Sequence, residues 1–221
     1  MALNNVEKNL SLSGLDAASP AAQFRKWYAE AKANESISMP ETCTLSTSEL
    51  PSGRVSSRIV YMKELDTNDG FVLISNFGTS RKGSDLASNP HAALVFHWPA
   101  LQRQVRVEGV TERLSKEQNQ ADFDVRARDG QMTAWASRQS QPLQPSAKDG
   151  DDGLAQLRGW LAETEKRFDG QDKVPVPEFW GGLRIVPTRV EFWEGRKDRL
   201  HDRFVYEKDG GKGWKINRLS P

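Results

Sequence analysis

Short segments in which apolar and polar residues alternate constrain the fold of this chain more than any other feature. The segments TCTLSTS, VSSRIVYMK, FVLISN, AALVFHW and QVRVEGVTERL all precede residue 115. A two-residue period places successive side chains on opposite faces of a strand, and the turn sequence DTNDG between two segments favours antiparallel pairing. Strand patterns return late in the chain, at GLRIVP, RVEFWEG, RLHDRFVYE and WKINRL. Mostly short antiparallel strands predict a β-barrel of α+β type and argue against a doubly wound sheet.

Five helical segments are predicted among these strands. Ser19 and Pro20 match the preferences of an N-cap and a first helical residue, and apolar residues recur at helical spacing up to Ala31. Ser115 and Gln118 have the form of a capping box, at the start of a helix that runs toward Arg128. The other helices are predicted at SRKGSDLASNP, near MTAWASRQ, and from Leu154 to Phe168.

The chain is predicted to form one domain, residues 19–221, preceded by a mobile N-terminal arm, residues 1–18. The arm has no apolar run of signal-peptide length and contains no arginine. The loop at 139–153 is rich in polar residues, but patterned sequence flanks it on both sides, so it does not divide the domain.

Composition excludes several classes of function. With 31 basic and 30 acidic residues, the net charge of +1 gives no general attraction to nucleic acid or to an anionic membrane. The three histidines lack metal-ligand spacing, and the single cysteine, Cys43, fits a reducing compartment. No stretch has the length and apolarity needed to cross a bilayer. We therefore expect a cytoplasmic protein with no metal, no membrane and no nucleic-acid partner.

Motifs of several large enzyme classes are absent from the sequence. Dinucleotide-binding folds, P-loop NTPases, zincins and serine hydrolases each have a short signature, and none of these signatures occurs here. Candidate functional residues must therefore come from polar clusters on the predicted strands.

The segment RLHDRF near the C-terminus is the densest such cluster. In a strand that begins at Arg199, the two-residue period places Arg199, His201 and Arg203 on one face, and Leu200 and Asp202 on the other. Two cations and an imidazole on one face suit an anionic ligand. Taken alone, however, the pattern favours a solvated edge strand, in which alternating charges are common.

Polar positions on two other strands give further candidates. In QRQVRVEG, Val105 and Val107 are predicted to face the core, which places Gln104 on the opposite face. Arg58 and Lys63 have opposite parity, so they share a ligand only through a bulge, a strand end or backbone contacts.

A basic pair, Arg81 and Lys82, lies at a predicted strand-to-helix turn. Backbone N–H groups and the helix dipole at such a turn favour a phosphate, and the two cations add to this preference. A pair of basic residues by itself is more often plain surface.

Six sequence blocks follow one another in order from about residue 38 to the C-terminus. They are ELPSGRVSSRIVYMK, ISNFGTSRKGSDLASNPHAALVFHW, LQRQVRVEGVTERLS, AWASRQS, VPVPEFWGGLRIVPTRVEFWEGR, and RLHDRFVY followed by WKINRLSP. Together they closely resemble the pyridoxamine 5′-phosphate oxidase family, especially its fungal forms. The resemblance implies a split β-barrel, an antiparallel Greek-key barrel with peripheral helices. It also implies a homodimer with FMN at two sites built from both subunits.

The activity that this resemblance implies is oxidation of pyridoxine or pyridoxamine 5′-phosphate to pyridoxal 5′-phosphate. A hydride passes to the flavin and the electrons then pass to O2, giving H2O2. Arg199 and His201 are the implied catalytic pair, in which Arg199 positions and polarises the substrate and His201 orients it.

The resemblance also assigns ligand-binding residues. The substrate is expected to contact Lys63, Arg126, Arg199, Leu200 and His201. FMN is expected to contact Arg58, Ile59, Val60, Tyr61, Met62, Lys63, Ile74, Ser75, Arg81, Lys82, Gln104, Gln139, Ser140, Trp193 and Arg203.

One segment departs from the family pattern. Where the family has a segment resembling YFxSRPRxSQIGAW, this chain reads DFDVRARDGQMTAW, so that Asp122 replaces a tyrosine and Gly130 a serine at the expected substrate phosphate. A carboxylate there repels a phosphate by about one to several kcal/mol, unless it pairs with Arg126 or Lys63. Alternatively, the helix is shifted and Asp122 is exposed.

Three hypotheses about function remain open on these patterns. The first is the family oxidase of vitamin B6 metabolism, with a weakened phosphate site. The second is an FMN-dependent oxidase of the same fold that acts on another, non-phosphorylated substrate such as a specialised metabolite, as the altered segment suggests. The third, a non-catalytic flavin or pyridoxal-phosphate binding protein, leaves Arg199 and His201 without a purpose.

Overall fold

Antiparallel strands form the framework of the chain in the computed structural model, which describes residues 10–147, 150–211 and 213–221. Within these ranges the eight strands are β1 (Thr42–Ser48), β2 (Val55–Leu65), β3 (Phe71–Asn76), β4 (His91–Trp98), β5 (Arg103–Arg113), β6 (Trp180–Glu194), β7 (Asp202–Lys208) and β8 (Trp214–Arg218). All five strand segments predicted before residue 115 are present.

Helices lie between and outside these strands. They are α1 (Pro20–Ala33), α2 (Arg81–Ser88), α3 (Lys116–Asp124), α4 (Arg128–Ala136) and α5 (Leu154–Arg167), with short 3-10 turns at Leu12–Gly14 and Pro99–Leu101. The predicted N-cap of α1 and capping box of α3 are both formed. Over the described ranges, no helix combines the length and the apolarity that crossing a membrane requires.

Six of the strands close into a barrel. The strand order is β3-β2-β1-β4-β5-β6, and β3 pairs with β6 to complete the circle. The connection from β3 to β4 passes over β2 and β1, which is a Greek-key arrangement. Strands β7 and β8 continue the sheet from the second half of β6, where Arg189 pairs with Glu207 and Glu194 with Asp202. The predicted α+β antiparallel barrel is therefore confirmed.

The barrel interior is filled by the inward-facing residues that the alternation predicted. Val105 and Val107 on β5 are both fully buried. Helix α1 adds Phe24, whose ring lies 4.9 Å from the rings of Phe71 and Phe96, and Trp27, whose ring lies 5.2 Å from that of Phe192. Helix α1 is therefore part of the core.

Strand β6 is continuous, although GLRIVP and RVEFWEG were predicted as separate strands. Glu108 pairs with Arg189 and Gly109 with Pro187, so Thr188 is an extra residue that forms a bulge. A Cβ at Gly109 would lie 2.2 Å from the carbonyl oxygen of Val186, so this close approach requires glycine. With this bulge, the strand continues beyond Pro187.

One helix prediction needs correction in its length, and another in the burial of its apolar residues. The helix expected to run from Ser115 toward Arg128 ends at Asp124, and α4 then begins at Arg128. Helix α5 forms as predicted, but Leu154 is 43% exposed and none of its residues is fully buried. Phe168, which directly follows α5, supplies the buried contact instead.

Part of the predicted N-terminal arm packs on the domain. Leu10 and Leu15 belong to the barrel core, and the hydroxyl of Tyr206 donates a hydrogen bond of 2.8 Å to the carbonyl oxygen of Asp16. The predicted boundary at residue 19 therefore lies inside packed structure. Residues 1–9 lie outside the described residues, and mobility of the arm stays a prediction.

Substituting Phe24→Ala tests the role of α1 in the core. Loss of a fully buried ring should lower the free energy of unfolding by about 3–5 kcal/mol. Urea unfolding at one fixed protein concentration measures this. Val125→Ala, at a side chain that is 86% exposed, is the control and should change it by less than about 0.5 kcal/mol. An equal effect of the two variants would contradict the assignment.

Candidate active site

Positive charge is concentrated beside the N-terminus of α2. Ser80 caps this helix by accepting a hydrogen bond of 3.2 Å from the backbone N–H of Gly83. Arg58 on β2 and Arg81 at the first position of α2 lie 3.8 and 3.6 Å from the carboxylate of Asp85. The predicted strand-to-helix turn with its basic pair is therefore formed, and β2 adds a third cation.

Lys82 is the most deeply buried of these cations. Its side chain donates a hydrogen bond to Oε1 of Gln139, and the residue is only 5% exposed. Burial, reinforced by the charge of Arg58, lowers its pKa from 10.5 to about 8. The cation has a neutral partner in a site that it shares with Arg58, so this donor set suits a phosphate.

An open cavity of about 330 Å³ adjoins these cations. Arg81, Ser80 and Ser140 are among its lining residues. Ser140 has a left-handed backbone, with φ of 70°, and follows Gln139, the partner of Lys82. The structure thus brings five of the predicted flavin residues to one place: Arg58, Arg81, Lys82, Gln139 and Ser140.

Two residues that hold Arg58 in place were not predicted. Thr47 accepts a hydrogen bond of 2.8 Å from Arg58 and donates one of 2.6 Å to Asp85, which is itself buried. The sequence does contain a signal for Thr47, since its parity in β1 matches that of the buried Cys43 and Leu45. A polar residue at a core-facing position requires a partner.

A second group of predicted flavin residues forms a row across three strands. Gln104 on β5 pairs with Trp193 on β6, which pairs with Arg203 on β7. Arg203 donates a hydrogen bond of 2.8 Å to Glu191, and this carboxylate raises the pKa of the guanidinium. Glu191 is 2% exposed and was not predicted, because its burial depends on a strand register that the sequence does not show.

The predicted face of RLHDRF is wrong at Arg199 and Leu200. Strand β7 begins at Asp202, and Arg199 lies in the preceding loop with a φ of 64°, so the two-residue alternation does not extend over Arg199, Leu200 and His201. Leu200 is 64% exposed whereas Asp202 is fully buried, although the two were expected to share a face. The reason is electrostatic, since Asp202 turns inward to meet two arginines.

These two arginines hold the loop against the sheet. The carboxylate of Asp202 lies 3.4 Å from Arg196 and 2.7 Å from Arg218. Arg218 also donates a hydrogen bond of 3.3 Å to the carbonyl oxygen of Leu10. The loop that carries Arg199 is therefore anchored at the buried carboxylate of Asp202.

His201 is fixed on both sides. Its ring centroid lies 4.8 Å from that of Trp193, and its Nδ1 accepts a hydrogen bond of 3.0 Å from the backbone N–H of Arg196. Because Nδ1 is an acceptor, Nε2 carries the proton of the neutral ring. His201 thus joins the Gln104–Trp193–Arg203 row, whereas Arg199 is exposed and makes none of the ion pairs found in the described part of the chain.

The expected substrate-phosphate residues form a third group. The side chain of Lys63 donates a hydrogen bond to Oδ1 of Asp122, which is 17% exposed. The alternative in which Asp122 is exposed is therefore wrong. Lys63 reaches α3 because β2 is irregular there, with Met62 and Glu64 pairing to adjacent residues of β3. A bulge is one of the features that were expected to let Lys63 share a ligand with Arg58 despite their opposite parity.

Arg126 and Gly130 also lie together. A Cβ at Gly130 would be 3.4 Å from Nη2 of Arg126, and the guanidinium lies over the ring of Trp180 at 5.1 Å. On the same side, Ile74 packs with Trp180, and Ser75 pairs with Gly181 across β3 and β6. The helical segment is thereby placed next to the predicted flavin positions of β3.

The remaining predicted flavin positions on β2 divide between two faces. Met62 is buried and Val60 packs against the core, whereas Ile59 and Tyr61 are 60% and 56% exposed. Contacts of Ile59 and Tyr61 to a ligand through side chains would therefore lie outside the barrel.

One chain does not bring all three groups together. The Arg58 cluster is centred on β2 and the Gln104 row begins on β5. These strands are separated by two others in either direction around the barrel, β1 and β4 one way and β3 and β6 the other. Among the described residues, no group of three or more His, Cys, Asp or Glu is suited to hold a metal ion.

The fold and these clusters define a closed antiparallel barrel with three cations grouped at the start of α2. Comparison with known families identifies it further. A family model described as pyridoxamine 5′-phosphate oxidase matches residues 29–149, and one described as the pyridoxine 5′-phosphate oxidase C-terminal dimerisation region matches residues 180–221. The chain belongs to the pyridoxamine 5′-phosphate oxidase family, as the sequence blocks predicted.

Individual relatives agree with this assignment. A pyridoxamine 5′-phosphate oxidase of Saccharomyces cerevisiae is 49% identical over 203 residues, which cover 91% of this chain and 85% of that protein. A probable pyridoxamine 5′-phosphate oxidase of Schizosaccharomyces pombe is 48% identical with the same coverage. The solved structure of PhzG from Burkholderia lata 383, in complex with tetrahydrophenazine-1-carboxylic acid, is 27% identical with a TM-score of 0.81, covering 98% of this chain and 99% of that one.

Burial of Lys82 predicts a pH dependence of stability in the ligand-free protein. Below about pH 8 this lysine is charged in both the folded and the unfolded chain, so the cost of its burial is fully present. Between pH 8 and 10.5 the folded protein loses the proton first, and the free energy of unfolding rises. Relative to Lys82→Met, the wild type should gain about 1–3 kcal/mol over this window.

Chemical unfolding across this pH range measures the gain. Lys26→Met removes the same charge at a side chain that is 57% exposed, and its difference from the wild type should stay flat with pH. A flat difference for Lys82→Met as well would show that its charge is not disfavoured by burial.

Proposed function

We propose that this chain is an FMN-dependent oxidase that converts pyridoxamine or pyridoxine 5′-phosphate to pyridoxal 5′-phosphate, with O2 as electron acceptor and H2O2 as product. The observation that carries the proposal is the 49% identity, over 91% of the chain, to a protein of that name. It favours this activity over the alternatives of a different substrate or of a non-catalytic carrier. We also propose a cytoplasmic location, in keeping with the single buried thiol of Cys43.

The cation cluster at α2 is proposed to hold the phosphate of FMN. Arg58, Arg81 and Lys82 supply the charge, and the start of α2 supplies backbone N–H groups. A dianion would relieve the cost of burying Lys82, whose pKa of about 8 shows that its charge is disfavoured without one. Asp85 and Thr47 then serve to orient Arg58.

We further propose that the Gln104, Trp193 and Arg203 row contacts the flavin from a second subunit. The separation of this row from the Arg58 cluster around one barrel supports a site shared by two chains. The match of residues 180–221 to a dimerisation region supports the homodimer. The exposed apolar side chains of Val55, Ile59 and Tyr61 on one face of β2 are of the kind that a subunit interface covers.

Arg199 and His201 are proposed to position the substrate. When bound, FMN supplies the hydride acceptor of the reaction and passes the electrons on to O2. His201 offers the Nε2 proton as a donor to the substrate, because Nδ1 is occupied by the backbone of Arg196. The exposed guanidinium of Arg199 is available to polarise the substrate, and the ring contact with Trp193 restricts the movement of His201.

Removing one phosphate ligand tests the cofactor site. Arg81→Ala should weaken FMN binding about tenfold or more, because a charged partner of the phosphate is lost while an exposed position is little disturbed in folding. Fluorescence titration of the flavin-free protein measures the dissociation constant. Arg25→Ala, which removes a surface arginine paired with Asp69, should leave it unchanged. An unchanged affinity in Arg81→Ala would remove this residue from the site.

The activity itself is tested by an anaerobic reduction. Purified protein loaded with FMN is mixed with excess pyridoxine 5′-phosphate, and the visible band of the oxidised flavin is followed. Bleaching, with recovery of the band and appearance of pyridoxal 5′-phosphate when air is admitted, is the expected result. A band that does not bleach with either phosphorylated vitamer would contradict the proposed function.

A further inference from the structure

The contact between Lys63 and Asp122 places a carboxylate on a cation of the expected substrate site. Lys63 is 36% exposed and Asp122 is 17% exposed, so solvent screens the pair only in part. A second carboxylate, that of Glu64, lies 3.5 Å from the same ammonium group but is 50% exposed. Of these two carboxylates, that of Asp122 therefore interacts more strongly with the ammonium group of Lys63.

The charge balance of this site differs from that of the cluster at α2. At α2, three cations accompany the carboxylate of Asp85, and the cavity beside them adds one arginine, Arg54, and one carboxylate, Glu49. At the substrate segment, Lys63 and Arg126 are matched by the two acids Asp122 and Glu64. The first site has excess positive charge for a phosphate, and the second has none.

The position of Asp122 is fixed by packing. Its neighbour Phe123 is fully buried, with its ring 5.1 Å from that of Trp180, and Arg126 lies over the same tryptophan. Helix α3 is also capped at Ser115. The carboxylate therefore belongs to an anchored helix, and moving it away from Lys63 requires a change of rotamer against that ion pair.

From these observations we propose that Asp122 is a specificity-determining residue that lowers the preference of this protein for a phosphorylated over a non-phosphorylated substrate. The inference rests on the proposed function and concerns the substrate end of the same site. A phosphate must compete with Asp122 for Lys63 and is repelled by that carboxylate. A free hydroxymethyl group bears no charge, and it is able to donate a hydrogen bond to the same carboxylate.

The absence of a side chain at Gly130 acts in the same direction. A Cβ at this position would lie 3.4 Å from Nη2 of Arg126, so a hydroxyl group on it would lie close to the guanidinium. Glycine provides no such donor. The phosphate therefore depends on Arg126 and on a Lys63 that is already paired.

Asp122→Asn tests the proposal with nearly unchanged shape. The ratio of kcat/KM for pyridoxine 5′-phosphate to that for pyridoxine should rise at least tenfold, through a lower KM for the phosphate ester, with kcat changed by less than about twofold. As a readout independent of turnover, titration of the FMN-loaded protein should show at least tenfold tighter binding of pyridoxal 5′-phosphate. Binding of pyridoxal should change by less than about twofold.

Asp124→Asn is the matched control. It makes the same change in charge on the same helix, but Asp124 pairs with Lys173 at 3.2 Å and with Gln120 instead of Lys63. The kcat/KM ratio and the affinity for pyridoxal 5′-phosphate should each change by less than about twofold. An equal gain in the two variants would show an effect of net charge alone and would overturn the proposal, as would an unchanged or lower ratio in Asp122→Asn.

The proposed function fails separately from this inference. If neither pyridoxine nor either of the two phosphorylated vitamers reduces the flavin of the wild type, the activity is wrong, and the titrations then decide the role of Asp122. An Asp122→Asn protein that binds pyridoxal 5′-phosphate no more tightly than the wild type would overturn the inference in either case.

Discussion

Pairing of β6 with three other strands positions the candidate ligand-binding groups on β3, β5 and β7. Residues 183–194 of the strand pair with β5, residues 180–185 close the barrel on β3, and residues 189–194 pair with β7. Ser75, Gln104 and Arg203 are therefore all placed by the register of one strand. Because successive side chains of a strand alternate between faces, a slip by one residue would exchange the inner and outer sets. The bulge at Thr188 makes one such shift locally, so that the buried side chains of β6 are Leu183 and Ile185 before it and Val190 and Phe192 after it.

The sequence predicts most of this framework because burial of one face of a strand or helix requires apolar residues at a regular spacing. The strands before residue 115 and the caps of α1 and α3 depend on local patterns, and they form as expected. The segment at 199–203 could not be predicted in this way. Burial of Asp202 depends on Arg218, which approaches only after β8 has paired with β7. A carboxylate in a polar segment is usually exposed, and its partner in this structure is remote in sequence.

The same distinction applies to the site. Resemblance to a family identifies residues that contact ligands, but it does not identify those that hold them in place. Thr47, Asp85 and Glu191 belong to the second kind, and their roles follow from contacts between strands and helices. The partner of Asp122 was likewise undecided, because 59 residues separate it from Lys63. The spacing of residues predicts contacts within one strand or helix, whereas this pair joins β2 to α3.

The anchoring of Asp202 connects the two ends of the described chain to the loop that carries Arg199 and His201. Arg218 connects this carboxylate to the backbone of Leu10, 208 positions earlier, and Arg203 donates to the carbonyl oxygen of Ser220. The position of the loop thus depends on contacts with residues at both ends of the described chain, and not on the sequence of the loop alone.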